Sequence, residues 1–411
     1  MAEAGSQLTD QFSRLNTDYT VVVAIDFGTT YSGYSFSFKS SPSDIFTRTN
    51  WGEKDGIPSI RKTPTCVLTD YQNTFVAIGF DAQKKYRMLT PDEAQYYRFY
   101  SEFKMKLHSE KSLSKDTLIE DQTGYKAPAI DIFAMVLGEM KTMMLATQGG
   151  INLQLIRWVI TVPAIWTDSA KQFMKEAAVK AGLVDNIDSG KLLIALEPEA
   201  ASICCQQLPL ADFEMSGANS STLAVGSQYL VLDAGGGTLD ITAHKVLPDN
   251  NLEELYFANG GPLGSVRVND NMLCLLDRIF QHKFVEIYRR KNPGDYNSLV
   301  NALEAAKKGF RPHEDRKTTI SLTMGMSEVY EEEFGQKLSK SISTEYTSRG
   351  VKIQNGLLCI PHDVMASVFQ NVVGDIMSHV EGLLGMKALR GVTTILMVGG
   401  FSHCEVLQAR N

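Results

Sequence analysis

Two stretches of this chain repeat one arrangement of residues suited to phosphate chemistry. In VVVAIDFGTTYSG (21 to 33) an apolar run ends in Asp26 and passes into Gly28, Thr29, Thr30 and Tyr31. In YLVLDAGGGTLD (229 to 240) another ends in Asp233 and passes into Gly235, Gly236, Gly237 and Thr238, with Asp240 just beyond. Glycine allows close approach and positive φ, so such turns can wrap backbone N–H groups around phosphate oxygens. The aspartates cannot touch phosphate themselves, and an ionised carboxylate at the mouth of a core needs a partner. Held in two matching turns, they suit a hydrated Mg²⁺ that neutralises a nucleotide's phosphates. Taken singly, Asp26 reads equally as a turn-forming residue and the glycine run as any loop; the repetition favours the phosphate reading.

Such turns need strands to carry them. Val21 to Ile25 has the length and β-branching of a buried strand. In LIRWVITVPAIWTDSAKQFMKEAAVKAGL (155 to 183), Val159 to Val162 reads as a strand stopped by Pro163. Thr167 or Asp168 then caps a helix that Gly182 ends. LLIALEPEAAS (192 to 202) runs from apolar residues into Glu197, and VTTILMVGGFSH (392 to 403) runs into Gly399 and Gly400. Strands feeding helices, with polar residues at the strands' C-terminal ends, predict an α/β fold whose cleft gathers those ends.

Composition narrows the class. A hydrophobic content of 44% with 21% charged residues is that of a globular protein. A net charge of -7 with no long Lys/Arg run argues against a nucleic-acid surface. No apolar stretch approaches the roughly 18 to 20 residues of a membrane span, and the polar N-terminus shows no secretory signal. Six cysteines without CxxC spacing suggest reduced thiols in an intracellular compartment, with Cys204 and Cys205 read as core packing. Seven histidines without ligand spacing and the lack of a GxSxG elbow leave little support for zinc or serine hydrolase chemistry.

The motifs AIDFGTTYSG, FKMKL, VITVPA, LEPEAAS, LDAGGGTLD and MVGG, in that order, resemble the nucleotide-binding domain of the seventy-kilodalton heat-shock chaperones, within the actin, sugar-kinase and heat-shock ATPase superfamily. FGTTYSGYSFSF, FKMKL and LEPEAAS look most like the divergent heat shock 70 kDa protein 12 subgroup. The resemblance implies a two-lobed actin-like ATPase fold, built from duplicated ribonuclease H-like domains around a central nucleotide cleft. It implies that Asp26 and Asp233, with Asp240 close by, hold the metal through water. Gly28, Thr29, Thr30, Tyr31, Gly235, Gly236, Gly237 and Thr238 would cradle the β- and γ-phosphates of ATP or ADP. Lys104 would position the attacking water and Glu197 act as the catalytic glutamate. Glu304 and Lys307 would hydrogen-bond the ribose, Lys308 and Arg311 would line the adenine pocket, and Gly264, Gly399 and Gly400 would flank the nucleoside. Periodicity alone makes Glu304, Lys307, Lys308 and Arg311 a polar stripe opposite Leu299, Leu303, Ala306 and Phe310. Without the resemblance that stripe reads as a solvated face.

The match departs from the family pattern in places. Lys308 stands for a stacking arginine and Arg311 for a small serine. Phe401 takes another serine's place, which predicts a reshaped adenine slot, and Glu199 puts a second carboxylate near Glu197. Lys171 replaces an arginine of the family's interdomain relay. The chain is expected to be C-terminally shortened, with no substrate-binding domain. Its expected organisation is a disordered tail (1 to 19), an N-terminal lobe (20 to 208, insert about 61 to 154), a boundary loop (209 to 227) and a C-terminal lobe (228 to 411, insert about 265 to 390). The charge block in EVYEEEFGQKLSKS (328 to 341) is expected to be a solvated hairpin or helix end. The expected activity is slow, Mg-dependent ATP hydrolysis in the cytoplasm, with the nucleus as a second location. Co-chaperones or an exchange factor would be partners, and client proteins are left open. The alternative is a nucleotide-gated binding or scaffold protein with little turnover; VITVPA and LEPEAAS argue against a small-molecule kinase.

Overall fold

A computed structural model describes residues 18–51, 60–110, 113–207, 223–248 and 251–409. Most of the expected tail and most of the boundary loop lie outside the described residues. The chain divides into two compact units: residues 1–83 with 98–200, and 84–97 with 201–411.

In the first unit, β1 (Val21–Phe27) alternates buried Val21, Val23, Ile25 and Phe27 with half-buried residues, so Asp26 points away from the face that Phe27 packs. It forms an antiparallel hairpin with β2 (Tyr31–Phe38), which is followed by β3 (Ser41–Thr47), while the two-residue β4 (Thr63–Pro64) also pairs with β2. On its other side β1 pairs in parallel with β5 (Ile156–Val162), which pairs in parallel with β6 (Leu192–Leu196). The sheet order is therefore β6-β5-β1-β2-β3 with β4 alongside. Three helices matter to the site: α1 (Met105–Ser109), α2 (Ala129–Thr147) and α3 (Asp168–Lys180). Phe133 of α2 stacks on Phe27, centroids 5.2 Å apart, which seals the core beneath the end of β1. Thr167 caps α3 by accepting from the Ala170 N–H, and Gly182 beyond it adopts φ +68°. The next helix, α4 (Glu197–Gln207), begins directly after β6.

The second unit repeats the scheme. Its sheet runs β9-β8-β7-β10, from β7 (Gln228–Ala234), β8 (Leu239–Val246), β9 (Leu252–Gly261) and β10 (Thr394–Val398). Here β7 takes the place of β1: an antiparallel hairpin partner on one side and a parallel strand, β10, on the other. Against this sheet pack α5 (Val266–Phe280), α6 (Pro293–Gly309) and α7 (His362–Leu384), whose buried Val364, Val368, Phe369, Val372 and Ile376 fill one continuous core. A last short helix, α8 (Glu405–Gln408), adds Leu407 to it. On β8, His244 is buried with its Nε2 2.8 Å from the Thr242 Oγ1, and burial pushes its pKa down.

One sequence reading changes at this level and another is narrowed to one of its two alternatives. Cys205 is buried, but Cys204 is exposed: neighbours on a helix point about 100° apart, and of these two only Cys205 falls on the buried side. The 328–341 block proves to be the end of a helix, Met324–Phe334, closed by Gly335 in the left-handed region. Among the described residues no helix is long and apolar enough to cross a membrane.

Candidate functional site

In the first unit the C-terminal end of β1 is held from three directions. Lys62 forms an ion pair with the Asp26 Oδ2, and the Thr161 hydroxyl, at the matching position of β5, donates to Oδ1 at 3.4 Å. The turn that follows is anchored by Thr65. Its hydroxyl donates to the Gly28 carbonyl at 2.8 Å and its N–H to the Thr30 carbonyl at 2.8 Å. In a trans peptide the C=O and the next N–H point in opposite directions. The N–H groups of Thr29 and Tyr31 are therefore turned away from Thr65. A Cβ on Gly28 would run into the Tyr31 carbonyl, so this tight turn requires glycine. Thr29 is buried, with its hydroxyl 3.9 Å from the Met105 sulfur.

Met105 begins α1, and the residue before it, Lys104, is one of the most buried lysines among the described residues. Its ammonium lies 2.8 Å from the Glu197 Oε1, with side-chain exposures of 3% and 19%. It also sits over the Trp166 ring, 5.2 Å from the centroid. The fold thus brings together two residues that are 93 positions apart, one at the mouth of α1 and one at the junction of β6 and α4. Glu199 was expected to crowd Glu197. It stands two positions on in the same helix, exposed, and such positions do not face each other.

In the second unit Asp233 and Asp240 are directly opposite across the β7–β8 pair. Directly opposed residues share a face, and like charges placed so destabilise the pair unless a cation relieves them. Between the two strands lies the turn Gly235 to Thr238. Its carbonyls are tied back to the start of α5: Gly235 accepts from Ser265 N–H at 3.1 Å, Gly236 from Val266 at 2.8 Å and Gly237 from Gly264 at 3.1 Å. By the same peptide geometry the N–H groups of Gly236, Gly237 and Thr238 are turned the other way, forming a nest suited to an anion. Any side chain at Gly264 would strike the Gly236 carbonyl. Gly399, at φ +86°, follows β10, and a Cβ there would strike the Asp233 carboxylate. Gly400 opens the 3-10 turn that follows.

On α6, Glu304 accepts from Lys307 at 2.6 Å, Lys308 at 3.3 Å and the Asn269 amide at 3.1 Å. Burial alone would raise the Glu304 carboxyl, but Lys307, Lys308 and Asn269 outweigh it and hold it below the ordinary range. Lys307 is buried, donates also to the Ser265 carbonyl at 3.3 Å, and has its pKa lowered chiefly by desolvation. Arg311 is drawn elsewhere. It pairs with Glu405 of α8 at 2.8 Å and donates to the Lys308 carbonyl, so its guanidinium closes the C-terminal end of α6. Phe401 is buried in the core of the unit.

The Hsp70 protein family model matches residues 61–352 of the chain. The chain belongs to the Hsp70 family. It is 35% identical to human Heat shock 70 kDa protein 12B over 95% of its own length and 64% of that protein's. It is 34% identical to mouse Heat shock 70 kDa protein 12A over 95% of its length and 65% of that protein's. More distantly, a Chaperone protein HscA homolog of Methylobacillus flagellatus is 29% identical over half of the chain. The chain spans just under two thirds of its Hsp70 12A and 12B relatives. The family's two-lobed actin-like ATPase fold accounts for the two mixed α/β units, and nucleotide binding is a property of the family.

Sequence reasoning missed Lys62, Thr65, Thr161, Asn269 and Trp166. Lys62 and Thr65 lie in IRKTPT, a stretch with no periodicity, and their part emerges only when β4 pairs with β2. Thr161 is visible only through the parallel register of β1 and β5.

Proposed function

We propose that this Hsp70-family chain binds ATP and ADP with Mg²⁺ and slowly hydrolyses ATP to ADP and phosphate. The observation that carries the reading is the Gly235 to Thr238 turn, with three successive carbonyls tied to α5 and its amides turned outward. Those amides suit phosphate oxygens, as do those of Thr29 and Tyr31 in the first unit. The oxygen-only donors at Asp26, Asp233 and Asp240 suit a hard cation held through its water. Among the described residues no cluster of three His, Cys, Asp or Glu could ligate a metal directly. When bound, Mg²⁺ would offset phosphate charge.

The chain's own residues supply the rest. We assign Lys104 to orienting the attacking water: its ammonium is fixed by Glu197 and the Trp166 ring and so has little freedom to lose on binding. Glu197, paired with that ammonium, would accept the water's proton as the bond to phosphorus forms. Glu304 and Lys307 present a charged, already ordered pair to the ribose hydroxyls. Lys308 would lie beside the base, with the turns at Gly264, Gly399 and Gly400 flanking the nucleoside, and Arg311 supports the wall through Glu405. From the names of its relatives we place the chain in a chaperone-type cycle, with co-chaperones or an exchange factor as partners.

The test is calorimetric titration of ATP and ADP with and without Mg²⁺, followed by single-turnover hydrolysis. Binding should weaken in Asp233→Ala, and hydrolysis should slow on the order of 100-fold or more in Glu197→Gln. Absence of nucleotide binding to folded protein would defeat the proposal. Binding without measurable hydrolysis in the unaltered protein would replace it by a nucleotide-gated binding role.

A further inference from the structure

We infer that Lys62 is a built-in cation of the phosphate site, which lets this chain hold a nucleoside diphosphate with little help from a divalent metal. The inference rests on the nucleotide reading above and concerns the Asp26 end of the site. Asp26 is already charge-balanced by Lys62 through Oδ2, and Thr161 donates to Oδ1. Two details show that the lysine is positioned by the fold. First, Lys62 immediately precedes β4, whose Thr63 and Pro64 pair with Ser32 and Tyr31. One position beyond β4, Thr65 grips the Gly28 and Thr30 carbonyls. The segment that fixes the turn therefore also delivers the ammonium. Second, the residue opposite Asp26 on β2 is Gly33. A Cβ there would come within 3.2 Å of the Lys62 Cγ and 2.7 Å of the Arg61 carbonyl oxygen, so the glycine leaves the lane along which the stem reaches the carboxylate. In the second copy of the motif the equivalent place, opposite Asp233, holds Asp240. One copy carries a second carboxylate where the other leaves passage for a cation.

Lys62 is half-exposed, at 47%, on a flexible four-carbon stem. A phosphate held over the Thr29 and Tyr31 amides would draw this ammonium toward it, and Asp26 keeps Thr161 as donor when the lysine turns. A charge-assisted contact of this kind is shorter and about twice as strong as a neutral one. A metal-filled site would need Lys62 to yield Asp26 to a metal-bound water. The lysine thus supports phosphate binding when metal is absent and competes for Asp26 when metal is present.

The experiment is titration of ADP onto the full chain in excess EDTA and in millimolar Mg²⁺, for the unaltered protein, Lys62→Met and Lys62→Arg. The measured quantity is the ratio of the two dissociation constants. We expect the unaltered protein to bind ADP in EDTA no more than about tenfold more weakly than in Mg²⁺, Lys62→Met to widen that ratio by roughly another factor of ten, and Lys62→Arg to restore it. An unchanged ratio in Lys62→Met, with ADP still bound in Mg²⁺, would overturn the role of Lys62 and leave the nucleotide reading standing. No ADP binding by the unaltered protein under either condition would overturn both.

Discussion

Breaking the Lys104–Glu197 pair should cost the first unit a large part of its stability, and a double-mutant cycle isolates how much. The two charged atoms are 2.8 Å apart. At an effective dielectric of about 20 their attraction is of order 6 kcal/mol, offset by the desolvation of both groups. Removing one partner of a buried pair costs about 3–5 kcal/mol, because the other charge is stranded. Glu197 keeps 19% of its side-chain surface exposed, which places Lys104→Met near the lower end, about 3 kcal/mol. Methionine preserves most of the stem's packing, so the loss reports charge. Glu197→Gln should cost a similar amount by stranding the ammonium beside Trp166. The double variant should lose at least about 2 kcal/mol less than the sum of the singles. The assay is urea unfolding followed by tryptophan fluorescence, since all three tryptophans, Trp51, Trp158 and Trp166, lie in the first unit. A coupling energy below about 0.5 kcal/mol, within the scatter of independent sites, would refute the reasoning.

Other outcomes follow from the same geometry. Gly264→Ala forces a Cβ onto the Gly236 carbonyl; the turn must shift, and we expect a loss of about 1–3 kcal/mol in stability together with weaker ADP binding, read by thermal unfolding and titration. Glu304→Gln strands the buried Lys307 ammonium and should lower second-unit stability by about 3 kcal/mol, with the double variant carrying Lys307→Met recovering much of it. His244 is buried and its pKa is held below 6.5. The unfolded chain therefore takes up this proton before the folded one does. The stability it allows is complete above about pH 6.5 and falls as the pH drops, by up to roughly 1.4 kcal/mol per pH unit until the folded-state pKa is reached. His244→Gln should flatten the fall in melting temperature between pH 7 and 5, as followed by thermal unfolding monitored by circular dichroism.

The sequence made the repeated strand, aspartate and turn visible because each is local: β-branched runs, a carboxylate and glycines within about a dozen residues. It also exposed the cap at Thr167, the apolar face of α6 and the opening of α4 at Glu197. Side-chain direction was not legible. Arg311 turns to Glu405 and Phe401 enters the core because packing around α8 decides each orientation, while Glu199 leaves the face of Glu197 by helix spacing once α4 begins there. Nor could the sequence show what balances Asp26. That depended on a two-residue strand, β4, too short to carry a periodic signal.

The two copies of the phosphate turn differ in how mutable they are. In the first, both restrained carbonyls accept from Thr65, one of them from its hydroxyl, with the Ser32 hydroxyl a longer second donor to Gly28 at 3.5 Å; a single base change that removes the Thr65 hydroxyl loosens the turn. In the second, the restraints are main-chain N–H groups of residues 264, 265 and 266, which every amino acid except proline supplies. At Ser265 and Val266 the sequence can drift without loss of these bonds, while Gly264 is pinned by space. After a duplication, equal geometry has come to rest on unequal genetic footing, and variation among relatives should be tolerated at 265 and 266 well before it is tolerated at 65.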